Sequence, residues 1–507
     1  MNYLNELVSF ISQNKIKQHN TLLPGGTSRQ SNIYKLYQGI RNQEITSDDD
    51  IVQTFFADAD HGATYANRLK RKLRDRLTNT VFLIDLNQAQ YTDAQRAYIS
   101  CHKNLAAIQI LGSRYVRKSA IEIAKNTLRQ SLHYGFTEIT LSIARYLHMF
   151  YGSALRDQKR AAYYRDLLTE QGDILQYELK AERYFIELNQ SLSHSSNTEE
   201  QLERARTYSE ELWPLLERIK TPKFNLYVYL FTLQYHELMG NYEEMVRISS
   251  KAIGFYQQNP QLANITTKYV LALNNLFAHT QLKQFDKAEE VGLQAMQQMD
   301  RGTGPWYSLA HYLMINYYHS EQFAEAAKFL QRIKREKSFK SLSGRVREQW
   351  RFHEAFAFFF AKTLDLRESE LYGSTFKVQK FINEVPDSAR DKEGSNTTIL
   401  VVQILVCLVQ ERYDDIIKRS DSLKTYTNRY LRKDNNFRSN CFIKMLLQLP
   451  AADFHRAAVE RKSEKWYKKL LSQPPNIFRY GTEHEYVPYE ILWKYVLENL
   501  EHKFHYT

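Results

Sequence analysis

The stretch NRLKRKLRDRL at 67–77 places six basic side chains and one acid in eleven positions. Leu69, Leu73 and Leu77 recur every fourth residue, the spacing of one stripe along an α-helix. The apolar run Val81-Phe82-Leu83-Ile84 continues from it. Arg68, Lys70, Arg71, Lys72, Arg74 and Arg76 then take the rest of the circumference. A helix docked by its leucines turns these cations outward, and each phosphate they neutralise would release condensed counterion, giving salt-dependent nucleic-acid binding. Asp75 and the acids at 48–50, 58 and 60 oppose this, since residues 1–90 carry 11 Lys and Arg against 9 Asp and Glu. The balance favours a solvated or partner-facing surface, with nucleic-acid contact as the alternative.

A second basic region runs through 426–446 and 454–470, and residues 418–470 as a whole hold 14 Lys and Arg against 5 Asp and Glu. Aromatics interleave with Arg429, Arg432, Lys433 and Arg438. Such a mixture suits stacking and phosphate tracking, and it equally suits amphipathic helices whose arginine stems lie along apolar neighbours. The chain's formal charge of +12 points in the same direction, toward an acidic partner, without bearing on fold.

Other reactive constellations are missing. No GxxxxGK[ST], GxSxG or HExxH occurs; His236-Glu237 and His353-Glu354 are each followed by the wrong residues. Cys101, Cys407 and Cys441 have no CxxC spacing and an odd count, which indicates neither a zinc knuckle nor a disulfide framework. His502 and His505 have no partners in sequence to complete a metal set. The expectation is a chain with no catalytic residues, no cofactor and no metal.

What must position these residues is helical. Glycine and proline, 17 and 10 in 507 residues, are scarce, and apolar residues recur at three- and four-residue spacing almost throughout. Breaks fall at points such as Gly112-Ser113, Gly135, Gly172, Gly240 and Pro450. The most apolar run, 399–409, is eleven residues long, short of the roughly 20 a membrane span needs. No secretory signal is evident, so the expected setting is cytoplasmic.

Three segments align on one frame: GNYEEMVRISSKAI at 240–253, KQFDKAEEVGLQAM at 283–296 and EQFAEAAKFLQRIK at 321–334. An aromatic (Tyr242, Phe285, Phe323) is followed three positions later by Met245, Ala288 or Ala326, and seven further on by Ala252, Ala295 or Ile333. A weaker copy has Tyr413, Ile416 and Leu423. The frame resembles the second helix of the tetratricopeptide repeat, most clearly over 223–336, although its aromatic spacings of 43 and 38 exceed the family's 34. The spacing and the long C-terminal segment are also similar to large bacterial repeat proteins.

Extending the rhythm predicts an all-α chain: a small helical N-terminal module over 1–90, an α-solenoid over 91–470, and a loop with a capping helix over 471–507. The solenoid would hold about nine antiparallel helix pairs, each burying its neighbour's apolar face. The resemblance implies a partner groove lined by the first helix of each pair, with Tyr227, Tyr235, Asn274, Asn275, Tyr312 and Asn316 as its residues. The function expected is a non-catalytic intracellular scaffold for a protein partner. The alternatives are a nucleic-acid-binding regulator and an accessory subunit of a multi-protein enzyme system.

Overall fold

The computed structural model describes residues 1–13, 31–87, 91–194, 198–366, 376–383, 395–430, 437–475 and 485–500. All regular structure in them is helical. The chain forms two compact units, Met1–Leu168 and Thr169–Thr507.

In the first unit, α1 (Asn2–Gln13), α2 (Asn32–Arg41), α3 (Asp48–Phe56) and α4 (Gly62–Val81) enclose an apolar cluster built on Leu4, Leu36, Tyr37, Ile51, Leu69, Leu73 and Leu77. The start of α3 is fixed by a reciprocal cap in which Asp50 N–H donates to Ser47 Oγ at 3.1 Å and Ser47 N–H donates to the Asp50 carboxylate at 2.9 Å. Backbone N–H groups of Thr46 and Ser47 hold that carboxyl down at about 2. A second cluster belongs to α5 (Asp93–Ser113), α6 (Arg117–His133), α7 (Thr137–Met149) and the start of α8 (Gln158–His194). Residues 1–90 therefore close a core of their own, yet they share a unit with the three helices that follow.

α8 runs through Gly172, where a break was expected. A Cβ at Gly172 would meet nothing within 4 Å. One glycine costs a helix only about 1 kcal/mol, too little to interrupt 37 residues of otherwise helical sequence.

The second unit continues with α9 (Thr198–Leu212), α10 (Pro222–Leu238), α11 (Tyr242–Gln258), α12 (Ile265–Gln281), α13 (Phe285–Gln297), α14 (Gly304–His319), α15 (Phe323–Lys334) and α16 (Gly344–Thr363). It ends with α17 (Val378–Asn383), α18 (Ser395–Leu408), α19 (Tyr413–Tyr430), α20 (Phe437–Leu446), α21 (Gln448–Ala451), α22 (Arg456–Leu471) and α23 (Tyr489–Glu498). From α9 to α16 each helix packs on the next, and α12 also packs on α14, as α16 does on α18. α13 can nestle between α12 and α14 because Gly292 carries no side chain: a Cβ there would come within 2.6 Å of both Leu276 and Leu313.

The repeated aromatics open helices. Tyr242, Phe285, Phe323 and Tyr413 are the first residues of α11, α13, α15 and α19, and Met245, Ala288, Ala326 and Ile416 are fully buried three positions later. Two residues before each aromatic the backbone turns left-handed, at Gly240, Lys283, Glu321 and Glu411, with φ of 67°, 57°, 56° and 53°. The following N–H closes a Schellman-type bond back to the preceding helix: Asn241 to His236 O, Gln284 to His279 O and Gln322 to Tyr317 O at 2.9 Å, and Arg412 to Cys407 O at 3.0 Å. The hinge thus outlives its glycine. It also recurs in the first unit at Tyr115 and Gly135, where Val116 N–H reaches Leu111 O at 3.0 Å and Phe136 N–H reaches Ser131 O at 2.8 Å.

A side chain with a Cβ is strained in this conformation by about 1 kcal/mol or more. Lys283→Gly is accordingly expected to raise the stability of the second unit by roughly 0.5–1 kcal/mol, measured as a higher urea midpoint at unchanged slope.

The last helix does more than close an end. α23 packs on α16, α20 and α22. Tyr495 packs edge-on to Phe323 and Phe360, with ring centroids at 5.2 and 5.4 Å. Lys494 pairs with Glu321 at 2.8 Å, and Asn499 Nδ2 donates to Thr363 Oγ1 at 2.7 Å. The chain's final described segment is laid back over the hairpins formed by α14, α15 and α16.

Candidate partner and anion surfaces

The six groove residues separate into two groups. Tyr227 and Tyr235 on α10 and Tyr312 on α14 are half-buried. Tyr227 also lies 5.3 Å from the Phe185 ring of α8. Asn274, Asn275 and Asn316 are buried, so as they stand they do not line an open groove for a partner. Their amides lie inside the fold, where Asn275 Oδ1 has no hydrogen-bond partner among the described residues. Asn316 Nδ2 donates to Phe285 O at 3.1 Å and its Oδ1 accepts from Thr280 Oγ1 at 3.0 Å. Asn274 Nδ2 donates to Val270 O at 2.7 Å, and Asn275 Nδ2 reaches Ser250 Oγ at 3.5 Å. An asparagine one helical turn inside a stacked pair satisfies buried carbonyls and hydroxyls that would otherwise be costly.

The basic helix has the predicted orientation. Leu69, Leu73 and Leu77 of α4 face the core, while Arg68, Arg71, Lys72, Arg74 and Arg76 are exposed. Among the described residues two of the six cations are in ion pairs, Lys70 with Asp48 at 2.7 Å and Arg74 with Asp75 at 2.8 Å. The Lys70 hydrogen bond lowers the Asp48 carboxyl below its usual range.

The C-terminal basic region differs. Arg438 is 5% exposed, so its assignment as an outward anion contact is wrong. Nε and Nη2 form a fork with Glu485 at 3.0 and 2.7 Å, Nη2 also meets Glu490, and Nη1 donates to Leu470 O at 3.0 Å and Gln473 O at 2.6 Å. All the donors of the guanidinium are used. Arg429 lies in α19, but its side chain, together with Arg432, Lys433, His502 and His505, falls outside the described residues. Trp466 is enclosed by the chain's own cations, with Lys444, Lys469 and Lys465 Nζ at 4.2, 5.3 and 5.4 Å from its ring. It is not a free stacking platform.

The three thiols are buried, and burial pushes the Cys101 thiol up to about 11, far from a nucleophile at neutral pH. The first unit holds an open cleft of about 660 Å³ lined by Phe82, Asp85, Asp93, Arg96, Lys103 and Tyr134 among others. Its charges are mixed, Arg96 being paired with Asp93 at 2.6 Å, and they select no ligand chemistry. Among the described residues no helix is long and apolar enough to cross a membrane.

Comparison with known proteins finds no matching family, curated protein or solved structure. The likeness to tetratricopeptide repeats consequently rests on the frame residues and on the hairpins they build.

Proposed function

We propose that the chain is a non-catalytic intracellular scaffold, an α-solenoid whose stacked hairpins hold a protein partner. The observation that carries this reading is the recurrent hinge: four hairpins of the second unit turn through the same left-handed residue, place an aromatic first and bury a compact apolar residue three positions on. Such repetition builds a rigid extended surface from neighbour contacts. Rigid surfaces bind by complementarity at low ordering cost. The polar ties between successive hairpins, Asn316 with Thr280 and Tyr269 with Ser308 at 2.8 Å, support that rigidity.

With the asparagines inside, the partner contacts fall to Tyr227, Tyr235 and Tyr312, amphipathic rings that bury area at little entropic cost. Affinity purification of the tagged full chain from its native cells, followed by mass spectrometry, should recover a stoichiometric partner. The triple variant Tyr227→Ala/Tyr235→Ala/Tyr312→Ala, checked for retained helicity by circular dichroism, should weaken that complex by about tenfold or more, the loss of roughly 1.4 kcal/mol. Recovery of the chain alone would count against the scaffold, and an unweakened complex would count against this surface.

A further inference from the structure

We propose that the outward face of α4 is a binding site for double-stranded DNA, a site that does not depend on the scaffold reading. Arg68, Arg71, Lys72 and Arg76 stand at i, i+3, i+4 and i+8 of one helix, so they share one side and span about 12 Å of its axis. All four are exposed, and among the described residues none of them is in an ion pair with a carboxylate. Arg68 lies 5.9 Å over the Tyr65 ring, a contact that leaves its N–H edges available.

The surrounding acids are partly occupied. Asp48 is held by Lys70, Asp50 by the backbone of Thr46 and Ser47, and Asp75, which falls within the basic face, by Arg74. Among the described residues Asp49, exposed at the start of α3, and Asp58 and Asp60, exposed in the turn ahead of α4, have no such cation and repel phosphate there. The contact is thereby confined to residues 68–76 rather than the helix N-terminus.

The helix is also held in a presenting position. α1, α2 and α3 all pack against its leucine side, and Gly62 sits so close to α3 that a Cβ would lie 2.9 Å from Val52 and 3.1 Å from Phe56 O. An α-helix about 10–12 Å across fits the roughly 12 Å major groove of B-form DNA. The deep, narrow major groove of an RNA duplex does not admit one. This is why the ligand is duplex DNA and not duplex RNA.

Four neutralised phosphates give a slope of log K against log salt of about −3.6, a loss of roughly 150-fold in affinity between about 50 and 200 mM salt. The test is fluorescence anisotropy of the full chain with a labelled DNA duplex of about 24 base pairs and mixed sequence, over that salt range. Arg71→Ala/Arg76→Ala should cut affinity at least about tenfold at the lowest salt and make the slope shallower by about 2. Lys418→Ala/Arg461→Ala, which removes two exposed cations of the second unit, should leave affinity within about twofold and so separate this face from net charge. Asp58→Asn/Asp60→Asn should tighten binding. Absence of binding at the lowest salt, an unchanged slope in the Arg71/Arg76 variant, or equal affinity for an RNA duplex of the same sequence would overturn the proposal.

Discussion

Arg438→Met is expected to destabilise the Thr169–Thr507 unit by about 3–5 kcal/mol, the cost of leaving a buried charge without its partner. The guanidinium holds Glu485, itself 4% exposed, and the partly exposed Glu490. Glu485 also accepts an N–H from Tyr489 at 2.7 Å, which cannot replace a cation. Methionine would fill the arginine's volume but strand that carboxylate, and the carbonyls of Leu470 and Gln473 would lose their donor. Arg438→Met/Glu485→Leu should recover much of the loss, because a buried pair exchanged whole for apolar groups is often neutral. Glu490→Gln, at the exposed edge, should cost far less. Urea midpoints of the four proteins measure all of this. A loss under about 1 kcal/mol for Arg438→Met would mean that the guanidinium is solvated and free for anions after all.

The same residue marks where sequence reading stops. Arg438 sits in a stretch so rich in cations that an outward placement is the natural inference, and its partners are 47 and 52 residues away in a segment that sequence separation makes invisible. Local periodicity was legible. The leucine stripe of α4, the Ser47–Asp50 cap and the aromatic that opens each of four helices are all set by contacts within a few residues. The hinge was half legible, because Gly240 advertises a left-handed turn whereas Lys283, Glu321 and Glu411 adopt it against their own preference. In the first unit Arg117 and Thr137 occupy the aromatic's place, and the surviving signal is the small or short buried residue three positions later, Ala120 or Thr140. The asparagines failed for a different reason. Helical spacing states that residues share a face, and it leaves open whether that face meets solvent or the next hairpin.

Acidification should unfold the second unit over the range where ordinary histidines charge, and His353 is one of the groups responsible. Its imidazole is fully buried, with Nε2 2.7 Å from His311 Nδ1 and Nδ1 3.3 Å from the Tyr318 hydroxyl. Trp350 and Tyr486 close over it with ring centroids at 5.2 and 5.3 Å. Burial holds it down at about 3, and the unfolded chain titrates near 6.5. Above pH 6.5 both states are neutral at this ring and its contribution is fully present. As pH falls toward 3 the unfolded state takes up a proton that the native state refuses, so stability is lost at about 1.4 kcal/mol per pH unit. His319 is also held at about 3 by burial, so an acid dependence of similar sign should remain without His353. His353→Phe should therefore cost about 1–2 kcal/mol at pH 7.5, where His311 loses a hydrogen-bond partner, yet show an acid slope shallower by about 1.4 kcal/mol per pH unit between pH 6 and 4. Urea midpoints across that range for both proteins decide it, and parallel pH profiles would rule His353 out as the acid-sensitive group. The site couples acid to the repeats directly: Tyr486, just ahead of α23, packs on both His311 and His353, so a charge forced into this pocket acts on the segment that straps the hairpins together.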